Sequence, residues 1–444
     1  MRRLFSLVSL VILMLGCGTG PGDGPVDDNT PPGNADISRI EHIIVFMQEN
    51  RSFDNYFGQL NAYRTANGAP ADVDGLDRVV NASNPSFDGT TAVPVFRMKT
   101  VCHEDVSPSW NEAHVQRNRS TPDVTNPALM DGFVFTAASY ARSNNIGDQE
   151  GLRAMGYYDQ THLPYYYFMA TNFAISDRFF SPIMAKSEPN RLFLYAATSG
   201  GFIAVPDSTL SQRTIFHLLD EKNISWKVYT TDPGVTTLKY FQPFADQRAS
   251  NIVPLDQYFT DLQNNTLPQV AYIETGLTTG LDEHPGNNIQ KGAAHAARII
   301  NALMGSTSWQ SSAFFLTYDE AGGMYDHVPP VPAVNPDGIP PKLTEKETSV
   351  FADNFTMTGH RIPLLVISPW VKKSYVSHTP MDFTAILKFI EERFGLSSLT
   401  QRDAAQPSMR EFFDFRRATW LTPPSPPEQP VLEDAANCYY GQVP

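Results

Sequence analysis

Two short apolar runs of the sequence are each followed closely by side chains that carry oxygen atoms. Glu49 and Asn50 follow the run Ile43–Met47, and Asp319 and Glu320 follow the run Ala313–Leu316. Carboxylate and amide oxygens are the ligands that hard divalent cations prefer. Asn and Asp are also common in helix caps and turns, so the residues alone leave both interpretations open. Taken together, the two segments indicate a candidate metal site.

The strands and helices predicted around these residues indicate an α/β layer fold. Four nearly continuous apolar runs predict strands covered on both faces, namely Ile43–Met47, Val270–Ile273, Ala313–Leu316 and Leu364–Ile367. Apolar residues at three- and four-residue spacing predict helices over Ile289–Leu303 and Phe383–Phe394. Strands that alternate with helices favour a largely parallel sheet, and ligands of such sheets bind beyond the carboxyl ends of the strands.

The composition narrows the class of protein. The chain has 444 residues, of which 41% are hydrophobic and 18% charged, with 35 Pro and 28 Gly. This excludes a chain that is disordered throughout and predicts a loop-rich globular domain. The net charge of −14 argues against nucleic-acid binding, which depends on Lys and Arg neutralising phosphates.

The N-terminus is typical of an export signal. Arg2 and Arg3 precede the apolar run Leu4–Leu15, which at 12 residues is too short to span a bilayer. Cys17 follows in a context that resembles the lipoprotein box, so we expect lipidation of Cys17 and anchoring at the bacterial cell envelope. An ordinary cleaved signal, with a secreted or periplasmic product, is the alternative.

The chain therefore divides into four predicted segments. These are a signal peptide (1–16), a lipidated cysteine with a flexible Gly/Pro-rich tether (17–36), one catalytic domain (37–421) and a Pro-rich tail (422–444). With Cys17 lipidated, Cys102 and Cys438 remain, and exported proteins fold in an oxidising compartment. We expect a Cys102–Cys438 disulfide that holds the tail, with two unpaired thiols as the alternative.

Five ordered motifs resemble one known family. They are ENRSFDNYFG at 49–58, SEPNR at 187–191, DEHP at 282–285, YDEAGGMYDHVPP at 318–330, and IPLLVISPWVKKSYVSHT with ILKFIEERFG between 362 and 395. This pattern is similar to the bacterial phosphoesterase family, which contains non-specific phospholipases C and a type of acid phosphatase. The resemblance runs from about residue 40 to about residue 402 and implies a three-layer, alkaline-phosphatase-like α/β sandwich.

The resemblance also implies roles for individual residues. It makes Glu49, Asn50, Asp319 and Glu320 the ligands of one divalent metal ion. It makes Ser187 the nucleophile and places His284 and His327 at the site, where a histidine can protonate the leaving oxygen. Lys186 and Arg191 flank the nucleophile and are candidates to bind the phosphoryl group. Asp326 precedes His327 and is a candidate to orient it.

One stretch departs from the family pattern. Ser109-Trp110-Asn111-Glu112-Ala113-His114 resembles a His-Ser-Trp-x-x-x-His stretch, but Pro108 replaces the first histidine. His103 or His114 is therefore a candidate to supply the missing donor. Ala321 stands where the family often has His or Asn, which points to a change around the leaving group.

These features favour a metal-dependent phosphoester hydrolase that forms a phosphoserine intermediate. Phospholipase C activity on phospholipid is the preferred interpretation because a lipid anchor would hold the enzyme at a membrane. Acid phosphatase activity, a sulfatase reaction and a non-catalytic surface-binding lipoprotein are the alternatives. The cation and the oligomeric state are not specified by the sequence. Mg, Mn or Ca suits the oxygen ligands, and a histidine ligand would also suit Zn or Fe.

Overall fold

A computed structural model describes residues 36–123, 127–344, 347 and 353–433. The strands are β1 His42–Gln48, β2 Ser83–Pro85, β3 Ala92–Pro94, β4 Phe96–Arg97, β5 Gly156–Tyr157, β6 Ala174–Ser176, β7 Phe179–Phe180, β8 Trp226–Thr230, β9 Ile252–Pro254, β10 Val270–Glu274, β11 Ser312–Tyr318, β12 Leu364–Ile367, β13 Tyr375–Ser377 and β14 Met381–Asp382. The helices are α1 Phe53–Phe57, α2 Leu60–Ala66, α3 Trp110–Arg117, α4 Phe133–Asn144, α5 Pro164–Asn172, α6 Ser187–Ala196, α7 Ile215–Glu221, α8 Phe244–Gln247, α9 Asp256–Asn264, α10 Ile289–Met304, α11 Phe383–Phe394 and α12 Gln401–Ala405.

A central sheet of eight strands organises the described part of the chain. Its order is β13-β6-β12-β11-β1-β10-β8-β9. Five of its seven strand pairings are parallel, and only β12 runs antiparallel to both of its neighbours. The prediction of an α/β fold with a largely parallel sheet is confirmed.

The central strands are buried on both faces, as their unbroken apolar runs predicted. Every residue of β10, β11 and β12 is buried, and β1 is exposed to solvent only in part, at its first residue. The predicted helices are also present as α10 and α11. Each begins after a side-chain cap, Asn288 on Gln290 N and Asp382 on Thr384 N.

The C-terminal tail contacts the domain as far as Leu432. Leu432 N donates to Gln290 Oε1, and Leu432 O accepts from Asn288 Nδ2. The neighbouring Ile289 N donates to Val101 O. The tail therefore runs close to Cys102, which is buried and disulfide-bonded. Its predicted partner, position 438, lies outside the described residues, so the pairing stays a prediction.

The predicted export signal, the lipidated Cys17 and nearly all of the tether also lie outside the described residues. Within the described ranges, no helix is both long enough and apolar enough to cross a bilayer.

Candidate active site

Strands β1 and β11 bring the two oxygen-rich segments together. The strands are parallel neighbours whose last residues, Gln48 and Tyr318, are in register, so Glu49 and Asp319 leave the same edge of the sheet side by side. Asn50 N donates to Asp319 Oδ1 at 3.0 Å. The two oxygen-bearing segments therefore meet at one edge of the sheet.

Close backbone packing fixes the turn at this edge. Asn50 adopts a left-handed conformation with φ of 60°, and Gly322 lies against it with φ of 65°. A Cβ atom at position 322 would lie 2.4 Å from the carbonyl oxygen of Asn50. The glycine of the YDEAGG motif is therefore required by this contact as well as by its backbone conformation.

Ser187 lies against the same oxygen atoms from the other side. It is the first residue of α6, and its Oγ donates to Glu49 Oε2 at 3.0 Å and lies 3.3 Å from Asn50 Oδ1. The backbone N–H groups of a helix N-terminus favour negative charge nearby. The position therefore favours a serine oxygen that has lost its proton.

The carboxylates of the site carry more negative charge than their protein partners balance. Arg191 contacts Glu49 at 2.6 Å, Asp319 at 3.2 Å and Glu274 at 3.5 Å. Even so, burial and then the charge of Asp319 raise the pKa of Glu49 and of Glu320 well above the ordinary value. The buried Glu320 Oε1 has no hydrogen-bond partner. One arginine therefore does not neutralise all of these carboxylates, and buried carboxylate oxygens of this kind are suitable ligands for a divalent cation.

A cavity of about 410 Å³ opens over these residues. We call it the Ser187 cavity. The sequence-predicted residues that line it are Glu49, Asn50, Lys186, Ser187, Arg191 and His284. His284 is half-buried, and its Nδ1 lies 2.7 Å from Pro285 O, which leaves Nε2 as the ring nitrogen available for other contacts. The guanidinium of Arg191 is engaged with carboxylates, so its predicted role in substrate binding stays a prediction.

The structure does not bring His103 or His114 to the lining of the Ser187 cavity. His103 is buried, its Nε2 lies 2.5 Å from Arg51 Nη1, and burial together with the Arg51 charge holds its pKa well below the ordinary value. His114 is fully buried between Trp110 O at 2.7 Å and Asp353 Oδ2 at 3.5 Å. Both rings are engaged in the protein interior, which disfavours a direct contact with substrate.

His327 and Asp326 lie in a separate charged cluster that does not line the Ser187 cavity. The ligand atoms of Asp54, Asp326 and His327 lie within 4.8 Å of one another, a spacing that suits a metal. However, the Arg361 guanidinium bonds both carboxylates at 2.9 Å. His327 also bonds Asp54 at 2.6 Å and Asp74 at 3.2 Å. The cluster is thus balanced by its own cations, and the geometry favours a structural role over the predicted proton transfer.

The contacts of His327 in this cluster are expected to make the stability of the fold fall as the pH rises. Burial alone would lower the pKa of His327, but hydrogen bonds to Asp54 and Asp74 outweigh it and raise the pKa from 6.5 to about 9. The stabilisation is complete below pH 6.5 and is lost as the pH rises through 9. In urea unfolding, we expect the free energy of unfolding to fall between these pH values by up to about 3 kcal/mol more in the wild type than in His327→Gln.

The comparison with the variant isolates His327. Burial also raises the pKa of Glu391 from 4.5 to about 9, so ionisation of Glu391 lowers the free energy of unfolding as the pH rises through this range. This loss occurs in the wild type and in His327→Gln alike, and it cancels in the comparison. An equal pH dependence of wild type and His327→Gln would show that the imidazolium does not stabilise the fold.

Glu283 is a buried carboxylate that links the ends of strands β1 and β11. The sequence alone indicated no role for it. Glu283 accepts hydrogen bonds from Tyr166 at 2.5 Å, Tyr318 at 2.8 Å and Gln48 at 3.0 Å. Gln48 and Tyr318 directly precede the predicted ligand pairs. A Cβ at Gly292 would lie 2.2 Å from Glu283 Cγ, so helix α10 approaches closely. The only sequence signal was membership of the DEHP motif.

Replacing Glu283 by Ala is expected to lower the free energy of unfolding by about 3 kcal/mol or more. The change leaves the buried hydroxyls of Tyr166 and Tyr318 without their acceptor and removes one hydrogen bond of the Gln48 amide, which keeps the carbonyl oxygens of Leu281 and Gly292 as acceptors. Urea unfolding followed by circular dichroism measures the effect. Glu221→Ala, which removes an exposed carboxylate paired with Arg213, is the control and is expected to cost less than about 0.5 kcal/mol. A cost for Glu283→Ala no larger than for this control would contradict the cross-linking role.

Comparison with known proteins places the chain in a family. The model of the Phosphoesterase family matches residues 40–397. Phospholipase C B of Mycobacterium tuberculosis is 30% identical over 92% of this chain and 81% of its own length. Non-specific phospholipase C1 of Arabidopsis thaliana is 28% identical over 85% of this chain and 71% of its own length. The matches and the site geometry define a phosphoester hydrolase.

The chain belongs to the Phosphoesterase family. Among solved structures, a protein in the alkaline phosphatase superfamily from Vibrio parahaemolyticus is similar with a TM-score of 0.35, 13% identity and coverage of 74% of each chain. The phosphonate monoester hydrolase of Agrobacterium radiobacter has a TM-score of 0.35 and 10% identity, and covers 56% of this chain and 72% of its own.

Proposed function

We propose that this enzyme is a phospholipase C that cleaves the phosphodiester of a phospholipid on the diacylglycerol side, with Ser187 as nucleophile. The contact that carries the proposal joins Ser187 Oγ to Glu49 Oε2 at 3.0 Å, at the surface of the Ser187 cavity. The names of the relatives, phospholipases C from bacteria and from a plant, support the substrate class.

A divalent cation is part of the proposal. Glu49, Asn50, Asp319 and Glu320 would hold it, and its charge would neutralise the phosphate and polarise the phosphoryl oxygens. The unpartnered Glu320 Oε1 and the raised pKa values of Glu49 and Glu320 support this ligand set.

The residues of the chain account for both halves of the reaction. Ser187 Oγ loses its proton to water and attacks phosphorus, and the bond to the diacylglycerol oxygen breaks as His284 protonates that oxygen. Water then gives a proton to His284 and attacks the phosphoserine, and the released Oγ regains a proton from water. The net reaction converts phospholipid and water into diacylglycerol and a phosphorylated headgroup.

Turnover of two soluble chromogenic substrates tests the proposal. We expect p-nitrophenylphosphorylcholine, a diester, to be hydrolysed faster than p-nitrophenyl phosphate, a monoester. A chelator should abolish both activities, and added Mg²⁺, Mn²⁺, Ca²⁺ or Zn²⁺ should restore them and so identify the cation. Faster turnover of the monoester would favour the acid phosphatase alternative, and full activity in chelator would overturn the metal requirement.

Export and lipid anchoring are also proposed, on the sequence of residues 1–17 alone. Detergent phase partitioning tests them. We expect the wild type in the detergent phase and Cys17→Ser in the aqueous phase, because the thioether-linked lipid supplies the apolar anchor. Equal partitioning of the two proteins would favour an ordinary cleaved signal.

A further inference from the structure

Aliphatic side chains that are exposed or half-buried line the Ser187 cavity. Val205 is 55% exposed and Leu277 is 43% exposed, and both line this cavity. Val235, which is half-buried, lines it too. The three residues come from separate loops, between α6 and α7, after β8 and after β10. Single exposed aliphatic residues are ordinary, but their convergence on one opening is a feature of interaction sites.

Basic side chains accompany this apolar rim in a chain whose overall charge is strongly negative. Lys186 and Lys239 are both exposed and line the same cavity, in a chain of net charge −14. Asp105 and Glu188 also line it, but both are half-buried. Lysine ammonium groups beside aliphatic side chains match a lipid–water interface, where phosphates lie next to acyl chains.

The size of the cavity explains why such a rim is needed. A volume of about 410 Å³ is that of a small-molecule site, so it accommodates a headgroup with its phosphate and glycerol but not two long acyl chains. The chains must therefore stay in apolar surroundings while the phosphate reaches Ser187. Drawing them into water would cost free energy for every methylene exposed.

We infer that a lipid-contacting rim, formed by Val205, Val235 and Leu277, binds the surface of aggregated phospholipid. This contact would hold the Ser187 cavity against that surface. The rim contacts the outer acyl and glycerol region, and the lysines contact neighbouring phosphates. The inference rests on the proposed phospholipase C function and adds that the enzyme prefers aggregated substrate to dissolved substrate.

A short-chain phosphatidylcholine, assayed below and above its critical micelle concentration, tests the rim. The measured quantity is the ratio of the micellar to the monomeric rate. We expect Val205→Asp and Leu277→Asp each to lower this ratio about tenfold, since burial of an apolar side chain is worth about that factor. The matched control is Val80→Asp, because Val80 is 88% exposed and does not line the cavity. Ratios in the rim variants equal to that of the control would overturn the inference.

A second measurement does not depend on turnover. Leu277→Trp should show a blue shift of its fluorescence when phosphatidylcholine vesicles are added, and Val80→Trp should not. An absent shift in Leu277→Trp would overturn the rim even if the aspartate variants fail to fold. A shift without hydrolysis of either form by the wild type would instead contradict the proposed function and leave the rim in place.

Discussion

Ser187→Ala is expected to lower turnover by about four orders of magnitude or more, because it removes the hydroxyl oxygen of the proposed nucleophile. The fold should tolerate the change. Ser187 begins α6, alanine is a good helix former, and the variant loses only the hydroxyl contacts with Glu49 and Asn50. Steady-state kinetics, metal content and melting temperature measure the three quantities separately. We expect metal content and melting temperature close to those of the wild type.

Two variants sharpen this test. Ser187→Thr keeps a hydroxyl at the nucleophile position and is expected to retain part of the activity. Ser181→Ala removes a buried hydroxyl that contacts His360 O instead of the site, and it is expected to stay near wild-type activity. Retention of most of the activity by Ser187→Ala would exclude the phosphoserine route.

Asp319→Ala is expected to lose both the bound cation and the activity. Asp319 is fully buried, and its carboxylate links the two turns that carry the proposed ligands through Asn50 N at 3.0 Å and Glu320 N at 2.8 Å. Removing it deletes one proposed ligand and loosens the other turn, so turnover should fall by about three orders of magnitude or more. Metal analysis of the purified protein and kinetics with added cation measure the effect.

The matched control for this variant is Asp261→Asn. Asp261 is also buried and paired, with Lys227 at 2.5 Å and Tyr229 at 2.7 Å, but it lies on α9. It should lose stability without losing metal. Asp319→Asn, which keeps the side-chain shape and removes the charge, separates lost affinity from lost folding. Stoichiometric metal in Asp319→Ala would exclude this residue from the ligand set.

Local pattern was sufficient for the central strands and for one half of the site. The unbroken apolar runs of β1 and β11 can be buried only as strands covered on both faces, and the oxygen-bearing residues after them then share an edge. The position of Ser187 came from a motif, because nothing in the spacing of a serine distant in sequence shows that it contacts Glu49. Its contact depends on where α6 packs.

Local sequence patterns could not predict the short strands or the buried charged residues. Strands β6 and β13 have three residues each, too few to show a period. The four residues of β12 do not show that it pairs antiparallel, because a fully buried strand has the same apolar pattern in a parallel and in an antiparallel pairing. These features depend on which segments pack side by side.

What the sequence by itself determined is therefore the chemistry available: side chains with oxygen atoms at strand ends, a serine two residues before Pro-Asn-Arg, and the family that shares them. Tertiary structure decided which of the two histidines lines the Ser187 cavity. His284 reaches the Ser187 cavity, whereas His327 is held by Asp54 and Asp74. The physical reason is that a titratable side chain takes its role from the charges packed around it, and those charges come from residues far away in the chain.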